Sequence, residues 1–307
     1  MQLGIKIGPD TWKEPLKNTK ASLCEIWYRF DWEEKYRDVF DYLKKHDVKT
    51  GLHFWGTCKD NIYPSLVTGN EGIRRESIGL MKRVIKIASG NGFNYVNVHP
   101  EARRLFKLIF PAGKVLLLNE ETKDEEALAN LISSGKELTD FADKNKVLLT
   151  IETIPRLSSA VFWEDIKGEK PDNLLDLKAV PSSWFTKLGE EKIAINFDIG
   201  HTMTETLSTD PQVQIKEVKE KAVKLAPYTK IVHFSSTVPP FNGIDSHNGF
   251  TGDDYRKGAI PSLADAEDLL RIFSQNKDVL IVPEPYDKHT ENHFILQKIV
   301  NRINNGK

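Results

Sequence analysis

The sequence predicts a (β/α)8 barrel, or TIM barrel, that forms a single domain over residues 1–307. Two observations lead to this prediction. Eight short apolar runs alternate with helical patterns along the chain, which is the order expected of parallel strands joined by helices. At least six of these runs end in His, Asp or Glu. Functional residues at strand ends are typical of a barrel whose active site lies at its C-terminal mouth.

The strands are read from apolar runs of four to seven residues. In chain order they are expected at residues 3–7, 23–28, 48–54, 95–99, 147–152, 193–198, 231–234 and 279–283. The first run ends at Gly8-Pro9, a dipeptide typical of turns. Runs of this length that alternate with helices indicate β–α units and a parallel sheet.

The helices are read from amphipathic spacing. They are expected at residues 33–45, 73–89, 125–144 and 292–303. In the second of these, Ile78, Met81, Ile85 and Ala88 recur at helical intervals. Two connections, 155–191 and 235–261, are longer than usual, and long loops on the functional face of a barrel usually shape a substrate site.

Composition limits the class of protein and its surroundings. The formal net charge of −1 gives no general attraction to nucleic acid or to an anionic membrane, although a local basic groove is compatible with it. Cys24 and Cys58 are the only cysteines, so we expect no disulfide framework. We expect a reducing compartment for the same reason. The sequence shows no signal-peptide pattern and no apolar run of the roughly 18 residues that a membrane helix needs. We therefore expect a cytoplasmic protein without a membrane partner.

Metal-binding residue types gather at the ends of the predicted strands. These are His53, His99, Glu152, Asp198, His233 and Glu284, together with His201 and, in a later loop, Asp245 and His247. A lone histidine is more often a structural residue, but six strand ends of this kind are improbable by chance. Because strand side chains alternate, Asn97, Thr150 and Asn196 should face the same way and support the ligands. The pattern predicts a metalloenzyme.

The whole chain resembles the xylose isomerase-like TIM barrel superfamily (AP endonuclease family 2), which includes sugar isomerases and epimerases as well as endonuclease IV-type DNA repair enzymes. The Glu, Asp, His and Glu shared by both branches match Glu152, Asp198, His233 and Glu284. The further ligands of the endonuclease IV branch match His53, His99, His201, Asp245 and His247.

By this resemblance the chain would bind up to three zinc ions. His53, His99 and Glu152 would hold the first, and Glu152, Asp198, His233 and Glu284 the second. His201, Asp245 and His247 would hold the third. The resemblance implies a zinc phosphodiesterase that acts on abasic or damaged nucleic acid, DNA in particular.

The isomerase branch implies a different reaction at the same residues. A single Mn²⁺, Co²⁺ or Mg²⁺ would then serve a sugar or sugar-phosphate isomerase or epimerase. Glu152 and Glu284 would move a proton, and His201 would position the substrate. Glu25 on the second strand, and Pro100-Glu101-Ala102 after His99, depart from the endonuclease pattern. Neither the substrate nor the oligomeric state follows from the sequence.

Several other residues are candidates for substrate contact. Aromatic residues near strand ends would form a stacking wall for a sugar or an unpaired base, or would simply pack in loops; they include Trp12, Tyr28, Trp55 and Tyr286. Arg103 would bind phosphate, or would belong to a solvated helical face. Lys6 and Glu25 are expected to point into the barrel and neutralise each other. A catalytic Lys6 is the alternative.

Overall fold

The computed structural model describes residues 1–161, 173–238 and 245–306. Its strands are β1 Gln2–Leu3, β2 Ile5–Ile7, β3 Leu23–Arg29, β4 Lys49–Trp55, β5 Tyr95–Val98, β6 Arg104–Ile109, β7 Lys114–Glu121, β8 Leu148–Glu152, β9 Ser158–Ser159, β10 Leu174–Leu175, β11 Ala194–Asp198, β12 Thr229–Phe234 and β13 Leu280–Pro283. Its α-helices are α1 Lys13–Thr19, α2 Arg37–Lys45, α3 Glu71–Gly90, α4 Asp124–Lys144, α5 Phe185–Glu190, α6 Ile199–Met203, α7 Pro211–Leu225, α8 Gly252–Arg256, α9 Leu263–Phe273 and α10 His289–Asn304.

Nine strand segments form one parallel sheet that closes on itself. Their order is β1-β13-β12-β11-β8-β5-β4-β3-β2. The sheet closes through the first predicted strand, which is divided at Gly4. Leu3 pairs with Ile281 on one side, and Ile5 pairs with Cys24 on the other. The predicted (β/α)8 barrel is confirmed.

Apolar side chains fill two regions of this barrel. The larger core lies between the strands and the surrounding helices and includes Ile26, Val96, Ile151 and Phe197. A smaller cluster comprises Leu23, Tyr95, Ile231, Leu280 and Val282. Gly51 belongs to β4, and a Cβ atom at this position would overlap the Tyr95 ring. A glycine here is therefore required by the close approach of two neighbouring strands.

A β-hairpin after the fourth barrel strand was not predicted. It consists of β6 and β7, which pair antiparallel. Phe106 of the hairpin packs against Tyr63 and, with Trp55 and Leu177, forms a third hydrophobic cluster beside the barrel mouth. The hairpin thus contributes apolar surface to the end of the barrel where the predicted ligands lie.

The structure also tests expectations about the cysteines, about membrane-spanning helices and about the two long connections. Both cysteines are free and buried. Among the described residues, no helix combines the length and apolar character needed to cross a membrane. The two long connections fall partly outside the described residues, at 162–172 and 239–244.

Candidate metal centre

The predicted ligands meet at the C-terminal ends of the barrel strands. His53 lies on β4, and Glu152, Asp198 and His233 lie on β8, β11 and β12. These four side chains are buried. The other five follow strands directly or come from loops and a short helix at the same end, namely His99, His201, Asp245, His247 and Glu284. Parallel strands place these side chains at one mouth because all of the strands have their C-terminal ends at the same end of the barrel.

The nine residues form three groups whose nitrogen or oxygen atoms lie within 4.8 Å of one another. The groups are His53-His99-Glu152, Glu152-Asp198-His233-Glu284 and His201-Asp245-His247. We call them the first, middle and third groups. Glu152 belongs to two of them because its carboxylate lies between: Oε2 is 3.4 Å from His99 Nε2, and Oε1 is 3.0 Å from His233 Nδ1.

Polar side chains beneath Glu152 hold it in place. Asn196 Nδ2 donates to Glu152 Oε2 at 3.0 Å, and Asn97 Nδ2 donates to the same oxygen. Thr150 Oγ1 in turn donates to Asn97 Oδ1 at 2.9 Å. The prediction that these three residues face the barrel axis below the ligands is therefore confirmed. Such contacts fix the orientation of a carboxylate before any cation binds.

The third group is oriented by backbone carbonyls. His201 Nδ1 lies 2.6 Å from the carbonyl oxygen of Thr153, and His247 Nδ1 lies 3.0 Å from that of Glu284. A carbonyl oxygen can only accept, so Nδ1 carries a proton in both rings. The Nε2 atoms are left to face Asp245 Oδ2, at 3.1 Å for His201 and closer for His247. Two imidazole nitrogens and a carboxylate oxygen converge there.

Asp198 has an oxygen without a donor. Its Oδ1 accepts from the backbone N–H of His201 at 2.7 Å, which caps α6. Its Oδ2 is buried and has no hydrogen-bond partner among the described residues. The nearest imidazole nitrogen in the middle group is His233 Nδ1, at 3.8 Å. A buried carboxylate oxygen without a donor is costly unless a cation satisfies it.

Lys6 and Glu25 lie deeper in the barrel and adjoin the middle group. Lys6 Nζ is 2.5 Å from Glu25 Oε1 and 2.8 Å from Glu284 Oε1. The expected neutralisation of Lys6 by Glu25 is confirmed, and the contact with Glu284 adds to it. Glu25 also forms a fourth group of potential ligands with His53 and His233. The sequence did not indicate this group.

The ionisable groups at the mouth perturb one another strongly. Burial, together with the carboxylates of Glu152 and Asp245, raises the pKa of Asp198 to about 7 against the lowering effect of His201. Burial and the Lys6 ammonium lower the pKa of His53 to about 4. For His201 the carboxylates Asp198 and Asp245 outweigh burial and raise the pKa to about 10. Perturbations of this size are typical of functional sites.

A cavity of about 320 Å³ opens above the groups. Its polar end includes His53, His99, His201 and His247. Its apolar end is formed by Trp27, Trp55, Tyr63, Phe106 and Leu177. The predicted substrate residue Trp55 therefore lines the cavity, beside Tyr63 and Phe106, which sequence analysis did not select.

Two other aromatic candidates lie elsewhere. Tyr28 has no exposed surface and packs against Tyr36 and Phe40. Trp12 is 8% exposed and packs against Tyr42. Both belong to the core between strands and helices, because alternation along the strand turns Tyr28 away from the barrel axis. Their predicted contact with substrate is not supported, and we do not propose it further.

Arg103 and Tyr286 also lie outside the cavity lining. Arg103 precedes the hairpin, and its guanidinium contacts Asp124 and the carbonyl of Thr122. The alternative expectation of a helical face is wrong, because the segment that follows is strand β6. Tyr286 is 54% exposed, and its backbone N–H donates to His247 O at 2.5 Å. Its substrate contact stays a prediction.

Two charged residues of the cavity were missed from the sequence. Glu101 lies 3.1 Å from His99 Nδ1, so it fixes that ring with Nε2 towards the first group. Arg156 also lines the cavity, held by Thr204 through its backbone N–H and its Nε. The signal for Glu101 was its place two residues after a strand-end histidine. Arg156 lies in a long connection without a periodic pattern.

Residues 14–298 match the sequence profile of the family described as the xylose isomerase-like TIM barrel. The chain belongs to this family. A search of curated proteins by sequence gives no match.

Solved structures similar to this member of the family include both branches. A D-tagatose 3-epimerase-like protein gives a TM-score of 0.63 at 14% identity, over 100% of this chain and 99% of that chain. Endonuclease IV from Thermus thermophilus gives 0.55 at 12%, over 100% of both chains. The TTHB071 protein of the same organism, soaked with ZnCl2, gives 0.59 at 16%, over 98% of this chain and 99% of that chain. Identities this low establish a shared fold only.

Proposed function

We propose that this chain is a zinc-dependent phosphodiesterase of the endonuclease IV type that acts on abasic or otherwise damaged nucleic acid. The observation that carries the proposal is the meeting of three ligand groups at one barrel mouth. A single-ion isomerase needs only the middle group. Besides His201, the first and third groups supply His53, His99, Asp245 and His247. These additional side chains fit a centre that holds more than one ion.

The donor atoms fit zinc. Imidazole nitrogen and carboxylate oxygen are usual ligands of Zn²⁺. Asp198 Oδ2 is a buried oxygen without a hydrogen-bond donor among the described residues, as a cation site requires. In the third group the two Nε2 atoms face Asp245 Oδ2, so a cation there would meet two imidazole nitrogens and a carboxylate oxygen. The middle group has three carboxylates, so Mn²⁺, Co²⁺ or Mg²⁺ also fits there.

Each group would hold one ion, up to three in all. His53, His99 and Glu152 would hold the first, Glu152, Asp198, His233 and Glu284 the second, and His201, Asp245 and His247 the third. When bound, zinc ions of such a centre neutralise charge on phosphate oxygens and lower the pKa of a water. Glu152 would link two of the groups, since its oxygens face in different directions, and Asn97 and Asn196 would keep it there.

The cavity suggests how the substrate would bind. Its polar end holds the ligand groups, and its apolar end presents the ring of Trp55. A sugar or an unpaired base stacks favourably on such a ring. About 320 Å³ is the volume of a small-ligand site. A displaced abasic sugar or a single nucleotide would therefore enter it, as in enzymes that take one nucleotide out of the duplex.

The same cavity favours a second candidate, a sugar or sugar-phosphate isomerase or epimerase. Glu152 and Glu284 flank His233 Nδ1 at 3.0 and 2.7 Å. With one Mn²⁺, Co²⁺ or Mg²⁺ in the middle group, these two carboxylates would remove and return a proton on the carbon beside a carbonyl. His201 would then position the substrate. A cavity of this size suits a free sugar.

The two functions are separated by removing a ligand that only one of them needs. We compare wild type with His247→Ala, using an oligonucleotide that carries one abasic site and, separately, a free ketose. Phosphodiesterase action predicts cleavage that falls at least about 100-fold in the variant. The exposed His46→Ala is the matched control. Epimerisation that survives in His247→Ala, without cleavage of the oligonucleotide, would contradict the proposal and support the second candidate.

A further inference from the structure

We propose that Arg156 binds a second phosphate of the substrate, one that lies next to the phosphate at the ligand groups and is not itself cleaved. The inference rests on the proposed function, because it concerns a substrate held in the same cavity. It adds a property of that substrate, namely a second anionic group close to the reacting one. In a nucleic acid this group is the neighbouring phosphate of the same strand.

Arg156 differs from the other arginines of the chain in its partners. The chain has eleven arginines, and all but Arg156 pair with a carboxylate. Arg103, which the sequence suggested for phosphate, pairs with Asp124. Within the part of the chain that the structure describes, Arg156 forms no ion pair. Its positive charge is therefore available to an anion that enters from outside.

The position of Arg156 in the cavity is equally particular. It is the only lysine or arginine among the described residues that line this cavity. The three carboxylates of the lining, Glu101, Asp245 and Glu284, each contact a histidine of the ligand groups. They therefore belong to the polar end and leave the guanidinium without a counter-ion. A substrate phosphate beyond the reach of the ligand groups would meet one cationic side chain here, Arg156.

Two hydrogen bonds hold Arg156 in place before a substrate binds. Its backbone N–H donates to Thr204 Oγ1 at 2.9 Å, and its Nε donates to Thr204 O at 3.1 Å. Thr204 has no exposed surface, so the anchor is itself fixed. Pro155 precedes Arg156 and restricts the backbone there. Because the side chain is already ordered, binding an anion costs less conformational entropy than it would at a free arginine.

The remaining donors of Arg156 suit a phosphate group. A guanidinium has five N–H donors, and Nε uses one of them on Thr204. The four N–H groups of Nη1 and Nη2 have no acceptor among the described residues. These two nitrogens lie side by side and can bind two oxygens of one phosphate at once, a geometry that a lysine ammonium cannot reproduce.

Helix α6 places the guanidinium close to the third group. Thr204 ends this helix, and its backbone N–H donates to His201 O at 3.0 Å. His201 Nδ1 lies 2.6 Å from Thr153 O, so the segment 153–156 is attached to α6 at both ends. Side chains three residues apart on a helix are neighbours, with Cβ atoms about 5–6 Å apart. Arg156 is thereby held beside the ligand groups and not among them, as a second phosphate requires.

The test combines changes in the protein with changes in the substrate. Oligonucleotides with one abasic site carry a neutral methylphosphonate in place of one phosphate at a time, on either side of the cleaved bond. Each is cleaved by wild type, Arg156→Met and Arg156→Lys. The matched control is Arg302→Met, because Arg302 lies in the last turn of α10 and pairs with Glu267 outside the cavity. The melting temperature of every variant is measured to verify folding.

In wild type, one replacement next to the cleaved bond should lower kcat/KM about 10- to 100-fold. The loss should appear mainly in KM, because a phosphate that does not react is bound alike before and during the reaction. Arg156→Met should lower kcat/KM for the unmodified oligonucleotide by a similar factor. The same replacement should then reduce its kcat/KM by less than about threefold, since the two changes remove one interaction. Arg156→Lys should recover only part of the loss, and Arg302→Met should behave as wild type.

Three other results would count against these proposals in different ways. If every replacement had the same effect in wild type and in Arg156→Met, the inference would be overturned and the proposed function would stand. If wild type left the oligonucleotide intact but preferred a ketose phosphate to the free ketose, and Arg156→Met lost that preference, the proposed function would be overturned and the phosphate site upheld. Neither cleavage nor such a preference would overturn both.

Discussion

At the scale of single residues, Glu152 connects the parts of the centre. Its two oxygens face His233 on one side and His99 on the other, and two asparagines donate to it from below. Both candidate functions need this carboxylate, either to hold ions or to move a proton. Its charge, and not its volume, is what they need.

Glu152→Gln should therefore abolish activity and preserve the fold. The amide has nearly the same volume but lacks the negative charge, so zinc affinity and turnover should each fall at least about 100-fold. The apolar core between the strands and the helices does not depend on that charge, so the far-ultraviolet circular dichroism should match wild type. Turnover within about tenfold of wild type would remove Glu152 from the centre of the reaction.

Asn196 tests the layer below the ligands. Asn196→Leu has a similar volume but no donor for Glu152 Oε2, and zinc affinity should fall about 10- to 100-fold. Asn276→Leu is the control, because that amide donates to the carbonyl of Thr229 at the start of β12, away from the mouth. Equal zinc affinities in the two variants would show that the amide of Asn196 does not orient the ligand.

At the scale of elements, the close contact between β4 and β5 inside the barrel contributes to the stability of the fold. A Cβ atom at Gly51 would overlap the Tyr95 ring, which is buried and cannot turn away freely. Gly51→Ala should therefore destabilise the fold by about 1–3 kcal/mol. Gly79→Ala is the control, since nothing lies within 4 Å of its Cβ position on α3, and it should be neutral or stabilising by up to about 1 kcal/mol. Urea unfolding of both variants measures the difference, and equal midpoints would contradict it.

Elements with a regular pattern could be predicted and irregular ones could not. The barrel strands are short apolar runs, and their order with the helices fixed the fold class. Strands β6 and β7 mix charged and apolar residues and pair with each other outside the barrel sheet, so no apolar run distinguished them. Tyr28 shows a second limit: the run 23–28 indicated a strand, but not which of its faces is turned towards the helices.

The part of the candidate site that lies at the ends of strands could be predicted from the sequence. His53, Glu152 and Asp198 could be placed at one mouth because parallel strands end together. The contacts of Lys6 with Glu284 and His53 could not be predicted, because they depend on how the barrel closes between its first and last strands. Closure is a property of the sheet as a whole.

At the scale of the whole molecule, ion binding should be linked to global unfolding. The ligands come from strands around the barrel, so an unfolded chain does not present them together. Each tightly bound zinc ion should stabilise the protein by about 2.7 kcal/mol when free zinc is about a hundred times its Kd. The measurement is the melting temperature with zinc and after chelation.

Asp198→Asn is the matched variant for this linkage. The substitution removes the charge of the oxygen that lacks a donor, so the zinc-dependent rise in melting temperature should be smaller than in wild type. The substitution should change the melting temperature measured without zinc less than the melting temperature measured with zinc. Identical rises in both proteins would show that zinc stabilises the chain somewhere other than the middle group.

The division of the first strand at Gly4 has a consequence for the order of events on the ribosome. β1 pairs with β13, so a growing chain keeps an open sheet edge until residues 280–283 have been made. Lys6 lacks Glu284 during that whole time, and the middle group lacks its last carboxylate. Contacts between such distant parts of a chain form late. The middle group would therefore gain its full set of ligands, and the ability to hold a zinc ion with all of them, only once the barrel has closed.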